Sequence, residues 1–229
     1  MTVLGIDTSS KTASCAVIKD GLLLCETTVY TKLTHSQVIL PFVIRMLGDA
    51  GIELSDIDLV AVANGPGSYT GLRIGIALVK GLCYDGKKCI GVSTLEALAY
   101  GCVSAKARIF SVMRARQGVV YFGAYDSDGS CLKCALPDGV VSDEQIYKCA
   151  GEWDGDIILV GDCAEQIKHE LFADDERVRL APTAVMLGNA ASLCMAAVAH
   201  AGEASDAKAL NAKYLQITKA EKDRLEKKL

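Results

Sequence analysis

Basic runs, aromatic bulk and long apolar stretches are all scarce in this chain, and each shortage excludes something. No run of five basic residues occurs and the formal net charge is −4, which argues against a free-standing nucleic-acid binder. No apolar stretch reaches the ~18 uninterrupted residues of a membrane span, so no membrane association is expected. Residues 1–7 carry neither the basic region nor the long apolar core of a secretory signal, and a cytoplasmic location is expected. Aromatic residues make up 6% of a chain that is 51% hydrophobic, so the core must be aliphatic. The 229 residues suffice for one large domain or two small lobes.

The usual signatures of chemistry are missing as well. Cys131 and Cys134 form a lone Cys-x-x-Cys without a second pair or a nearby histidine, so zinc is not expected. Other cysteines, such as Cys15, Cys83, Cys102 and Cys194, lie in apolar runs and read as small buried hydrophobes. No lysine follows Gly71 to make a Walker loop, and the third glycine of a dinucleotide fingerprint arrives one residue late. Ser68 stands in Gly-x-Ser-x-x-Gly rather than the Gly-x-Ser-x-Gly elbow, and no Ser-His-Asp or Cys-His arrangement supplies another nucleophile.

What is present centres on Asn64-Gly65-Pro66-Gly67-Ser68-Tyr69-Thr70-Gly71-Leu72-Arg73-Ile74-Gly75. An apolar run at 57–63 predicts a buried strand, the glycines and Pro66 a turn, and the spacing beyond Gly71 a helix over 71–84. Ser68 or Thr70 can cap that helix. Two readings of the turn are open: a tight strand-to-helix connection packed on neighbouring backbone, or an anion site at a helix N-terminus.

Around this stretch the element order repeats. Strands are expected at 3–7, 13–19 and 22–31, with a turn at 8–11 and a hairpin at Asp20-Gly21. Thr34-His35-Ser36-Gln37 reads as a capping box for a helix running to Ala50 with a kink at Pro41. A strand at 88–92 and a capped helix at 93–104 close the first half. The second half offers strands at 109–114, 119–125 and 131–136, with a hairpin turn at 126–129. A helix capped by Ser142 and Gln145 follows, then a strand at 156–160, a short helix, a weak strand at 177–180 and a long helix at 184–201. The run Asp156-Ile157-Ile158-Leu159-Val160 thus stands where Asp56-Ile57-Asp58-Leu59-Val60 stood. Three hairpin-linked strands followed by helix–strand units, twice over, predict an internally duplicated α/β protein with mixed sheets. The lobes are placed at 1–105 and 106–229, the second with a helical tail.

Taken whole, the signature Gly65 to Gly75 resembles that of the TsaB (YeaZ) family of the glycoprotease-like superfamily. Further matches are Leu4-Gly5-Ile6-Asp7-Thr8-Ser9, Gly91-Val92-Ser93-Thr94-Leu95, Ala115-Arg116-Gln117-Gly118-Val119-Val120-Tyr121 and Tyr214-Leu215. One position departs: Arg114 stands where the family has an acid. The resemblance implies a two-lobed duplicated actin-like ATPase fold (ASKHA, ribonuclease H-like). It also implies a non-catalytic partner and activator of a TsaD-like catalytic subunit in tRNA threonylcarbamoyladenosine formation. A TsaE-like ATPase would join the complex, the chain would form a homodimer when alone, and tRNA would be met only through the complex.

No cofactor is expected. In active members of this superfold the first hairpin turn faces a nucleotide, so Asp7, Thr8 and Ser9 read as a vestigial nucleotide loop. The alternative is an enzyme that binds and hydrolyses a nucleotide between its lobes. The catalytic relative holds its metal with His-x-x-x-His, but Ile39 stands four residues after His35, so no metal site is expected and His35 reads as a solvated or capping residue. The apolar residues of 36–49 cover about 200° of a helical wheel at ~100° per residue, more than one sheet can bury. Either these helices pack on each other and on the second lobe, or the surplus faces a partner. The resemblance selects the latter and assigns the surface to Ile39, Leu40, Val43, Ile44 and Leu47 with Arg73, Ile76, Ala77 and Lys80. Leu40, Ile44 and Leu47 form one edge of the arc, and Ile39, Phe42 and Met46 the other. Leu40 and Ile44 lie furthest round and are assigned to the partner.

Overall fold

The computed structural model describes residues 1–116 and 118–216. Strands β1 (Thr2–Asp7), β2 (Thr12–Lys19) and β3 (Leu22–Tyr30) run antiparallel, and β4 (Leu59–Gly65) and β5 (Lys88–Ser93) add in parallel beside β1, giving the order β3-β2-β1-β4-β5. The second sheet repeats the plan. There β6 (Arg108–Arg116), β7 (Val119–Ser127) and β8 (Leu132–Val141) are antiparallel, and β9 (Ile157–Val160) and β10 (Val178–Leu180) follow in parallel beside β6. The internal duplication read from element order is therefore present in the sheets. Asp20 and Gly21 both take positive φ, 51° and 82°, as a two-residue hairpin matched to strand twist requires.

Alternation along the strands sends side chains to two faces. Leu4, Ile6, Val60 and Val62 meet helices α1 (His35–Ala50) and α2 (Tyr69–Leu82) on one face of the first sheet. On the other face Val3, Ala16, Leu59, Ala61 and Ile90 meet α6 (Ala190–Ala199), with α3 (Thr94–Tyr100) beside it. The outer face of the second sheet packs on α4 (Asp143–Gly151) and α5 (Ala164–Leu171), and its inner face on α3. Helices α3 and α6 thus form a layer between the sheets. Although α6 lies in the half of the chain assigned to the second lobe, it packs on the first. Gly5 permits a close approach: a Cβ there would lie 2.6 Å from Cys194 Sγ and 2.8 Å from the carbonyl of Ala190.

Other expectations are corrected in detail. Thr34 makes no side-chain cap bond; its carbonyl takes the Gln37 amide at 2.9 Å, and α1 continues through Pro41 to a left-handed Gly51. Helix α2 begins two residues early because the Ser68 hydroxyl accepts the Gly71 amide. Helix α3 stops at Tyr100, just before Gly101, rather than at 104. The long helix expected over 184–201 is a 3-10 turn, Thr183–Val185, followed by α6, which starts afresh where Asn189 caps the Ser192 amide.

Candidate functional site

Asp7 is the last residue of β1 and is 1% exposed. Its Oδ1 accepts the Ser9 amide at 2.8 Å and the Ser9 hydroxyl at 2.6 Å, the local bonding of an aspartate-led turn. Its Oδ2 is buried without a hydrogen-bond partner among the described residues. Gly188 lies directly against that oxygen, where a Cβ would come within 2.8 Å, and Thr12 Oγ1 donates to the Gly188 carbonyl at 2.9 Å. The chain leading into α6 therefore covers the carboxyl group. Burial pushes its pKa up; the Ser9 hydroxyl and amide and His35 pull the other way. A carboxylate that organises a metal or a phosphate must be ionised and open to it, and Asp7 is shut in. A cleft between the lobes, ≈ 350 Å³, is lined by Ser10, Lys11 and Thr12 on one side and Asp162 and Glu165 on the other. Asp7 is not part of its wall.

The signature turn packs on this same loop. Cβ atoms on Gly67 and Gly71 would fall 2.4 Å from the Ser9 carbonyl and 2.0 Å from the Thr8 carbonyl. The Ser68 amide donates to Ser9 O at 2.7 Å, and Thr8 Oγ1 donates to Gly71 O at 2.7 Å. Of the two readings of the turn, the packed connection describes it: the Ser68 amide is engaged by the protein's own backbone. The Gly65-Pro66 peptide is cis and Pro66 is buried, while Thr70 is exposed. His35 places Nδ1 3.2 Å from the Thr8 carbonyl. In the second lobe Arg114, at the departure from the family pattern, bonds Gln166 at 2.9 Å and lies 3.6 Å from Asp143.

The surface expected on α1 and α2 divides. Ile39, Val43, Leu47 and Ile76 belong to the core of the first lobe, so these four are corrected from partner surface to packing against the sheet. Leu47, expected on one edge with Leu40 and Ile44, lies on the sheet side of the helix. Leu40 at 41% and Ile44 at 64% stay open to solvent. Arg73 and Ala77 are exposed and Lys80 is half-buried on α2. Tyr69 joins this face with its ring stacked on Tyr214, 5.0 Å between centres. That pair, like the Gly188 cover, was missed in the sequence. The Gly188-Asn189 step before an apolar run was a usable helix-start signal, whereas nothing local links Tyr69 to a residue so far along the chain.

The chain matches the family described as "TsaD: tRNA N6-adenosine threonylcarbamoyltransferase" over residues 30–222. It is 35% identical over 162 residues to the "tRNA threonylcarbamoyladenosine biosynthesis protein TsaB" of Bacillus subtilis, covering 70% of this chain and 71% of that one. Among solved structures, YeaZ from Pseudomonas aeruginosa superposes with a TM-score of 0.76 at 29% identity, covering 93% of this chain and 99% of the other. Component A of the (R)-2-hydroxyglutaryl-CoA dehydratase of Acidaminococcus fermentans shares the fold at a TM-score of 0.50 and 13% identity, with 88% and 99% covered. The fold is the two-lobed actin-like α/β fold with mixed sheets.

Proposed function

The chain belongs to the TsaB (YeaZ) family of the glycoprotease-like superfamily, and from that premise we propose that it acts in tRNA threonylcarbamoyladenosine biosynthesis as a non-catalytic partner. In this reading it holds and activates a TsaD-like subunit through the outer face of α1 and α2. A TsaE-like ATPase completes the assembly, tRNA is met only through it, and the chain pairs with itself when alone. The observation that carries the reading is that Leu40 and Ile44 on α1, and Arg73 and Ala77 on the adjoining α2, are all open to solvent. Exposed apolar side chains grouped on one face are the feature of an interaction surface. The covering of Asp7 by Gly188 supports the absence of nucleotide chemistry in this chain.

The test is reconstitution with a TsaD-like subunit, a TsaE-like ATPase, tRNA and substrates, reading modified nucleoside by mass spectrometry. Modification depends on this chain, and Asp7→Ala leaves it largely intact. A 100-fold loss, about 3 kcal/mol in barrier, in an Asp7→Ala protein that still folds and binds its partner would return catalysis to this chain. Calorimetry with ATP and magnesium on the isolated chain separates the alternative, since a nucleotide enzyme binds and this protein does not.

A further inference from the structure

Beyond α6 the chain returns to the first lobe and is fastened there step by step. Ser205 and Cys89 exchange backbone hydrogen bonds of 2.9 and 3.0 Å. Leu210 is buried in the first-lobe core, and the Lys213 amide donates to the Asn64 carbonyl at 2.7 Å. A Cβ on Gly65 would lie 2.2 Å from the Lys213 carbonyl, so the segment crosses the end of β4 only because glycine stands there. The next residue, Tyr214, stacks on Tyr69, and its hydroxyl accepts Arg73 Nε–H at 3.1 Å. The Arg73 guanidinium in turn lies 4.0 Å from the centre of the Tyr69 ring. Tyr69 and Arg73 both sit in the first two turns of α2, while Tyr214 is still 40% exposed.

We infer that residues 205–214 are a strap that orders the partner-facing start of α2, with Tyr214 as the residue that positions Arg73. The inference rests on the proposed use of α1 and α2 as the interface for a TsaD-like subunit. A surface arginine samples many rotamers, and binding must fix one of them. Stacking on Tyr69 and the bond donated to Tyr214 contribute to fixing it in advance. Arginine and tyrosine are also the side chains that most often dominate the energetics of an interface. The strap therefore ties the far end of the chain to the surface by which the partner is held.

Full-length wild type, Tyr214→Phe, Tyr214→Ala and Ile44→Asp are titrated into the TsaD-like subunit by calorimetry, each checked by circular dichroism. Tyr214→Ala weakens binding about tenfold, and Tyr214→Phe, which keeps the ring and loses the bond to Arg73, about threefold. In an Arg73→Ala background the further loss on Tyr214→Ala disappears, because the two act as one unit. Full loss in both backgrounds overturns the positioning role. Wild-type affinity for Tyr214→Ala, with Ile44→Asp unable to bind, overturns the strap and leaves the interface standing. If Ile44→Asp also binds normally, the interface falls and the strap with it. Should Tyr214→Ala fail to fold, Tyr214→Phe decides, and wild-type affinity there overturns the inference.

Discussion

At Asp7 a carboxyl oxygen faces Gly188 with no hydrogen-bond partner among the described residues, and this sets a testable pH dependence. Burial raises the folded pKa above the ordinary 3.8, so the folded protein holds the proton more tightly than the unfolded chain. The stabilising contribution is complete below pH 3.8 and is lost as pH rises through the folded value. At neutral pH Asp7 therefore costs stability. Asp7→Asn keeps an acceptor for the Ser9 amide without the buried charge. Its melting temperature at pH 7.5 is expected to equal or exceed that of wild type, with the difference shrinking as pH falls toward 3.8. A lower melting temperature for Asp7→Asn at pH 7.5 would show that the ionised carboxylate is stabilised in place. The sequence marked Asp7 as the residue to question. It did not reveal the cover, because Gly188 stands far along the chain and its approach depends on where α6 docks.

Among the elements, the signature turn was the most legible. Glycine, proline and serine before an apolar helical period specify a strand, a tight turn and a capped helix, and β4, the turn and α2 follow in that order. The surface against which its glycines pack was not legible, since Thr8 and Ser9 are remote in sequence. Gly71→Ala would place a methyl 2.0 Å from the Thr8 carbonyl, and neither backbone can retreat without disturbing the Asp7 loop. A cost of about 1–3 kcal/mol or more is expected by denaturant unfolding. The exposed neighbour change Thr70→Ala should stay within about 0.5 kcal/mol. Equal stability of the two variants would mean that the loop and turn do not pack as described. Helix α6 was legible as an apolar, alanine-rich helix, but it starts at Ala190, beyond Gly188, rather than at 184. Its composition signals close packing without saying against what.

For the whole molecule, element order was enough to predict the duplication and the two mixed sheets. The exchange between halves was not predictable from order: α6 and the 205–213 segment leave the second half to pack on the first sheet. The two lobes therefore share a layer, and the first is incomplete without residues from the end of the chain. A fragment of residues 1–105 keeps α3 but strips α6 from Val3, Ala16, Ile18, Leu59, Ala61 and Ile90. Such a bare face favours association over folding, so the fragment is expected to show no cooperative thermal transition by circular dichroism. A cooperative, native-like melt of the fragment would mean that the first lobe is independent of α6.

The central claim, that the outer face of α1 joins this chain to a catalytic relative, is tested most directly by Ile44→Asp. Ile44 is 64% exposed, so the new charge meets water in the free protein and folding is unaffected. At the centre of an interface of standard size, ~1,600 Å² in total, the same charge loses its water and finds no partner. The measurement is self-association by light scattering together with modified nucleoside formed in the reconstituted system. A folded monomer unable to support modification is the predicted result. Folded Ile44→Asp protein that self-associates and supports modification as wild type does would contradict it.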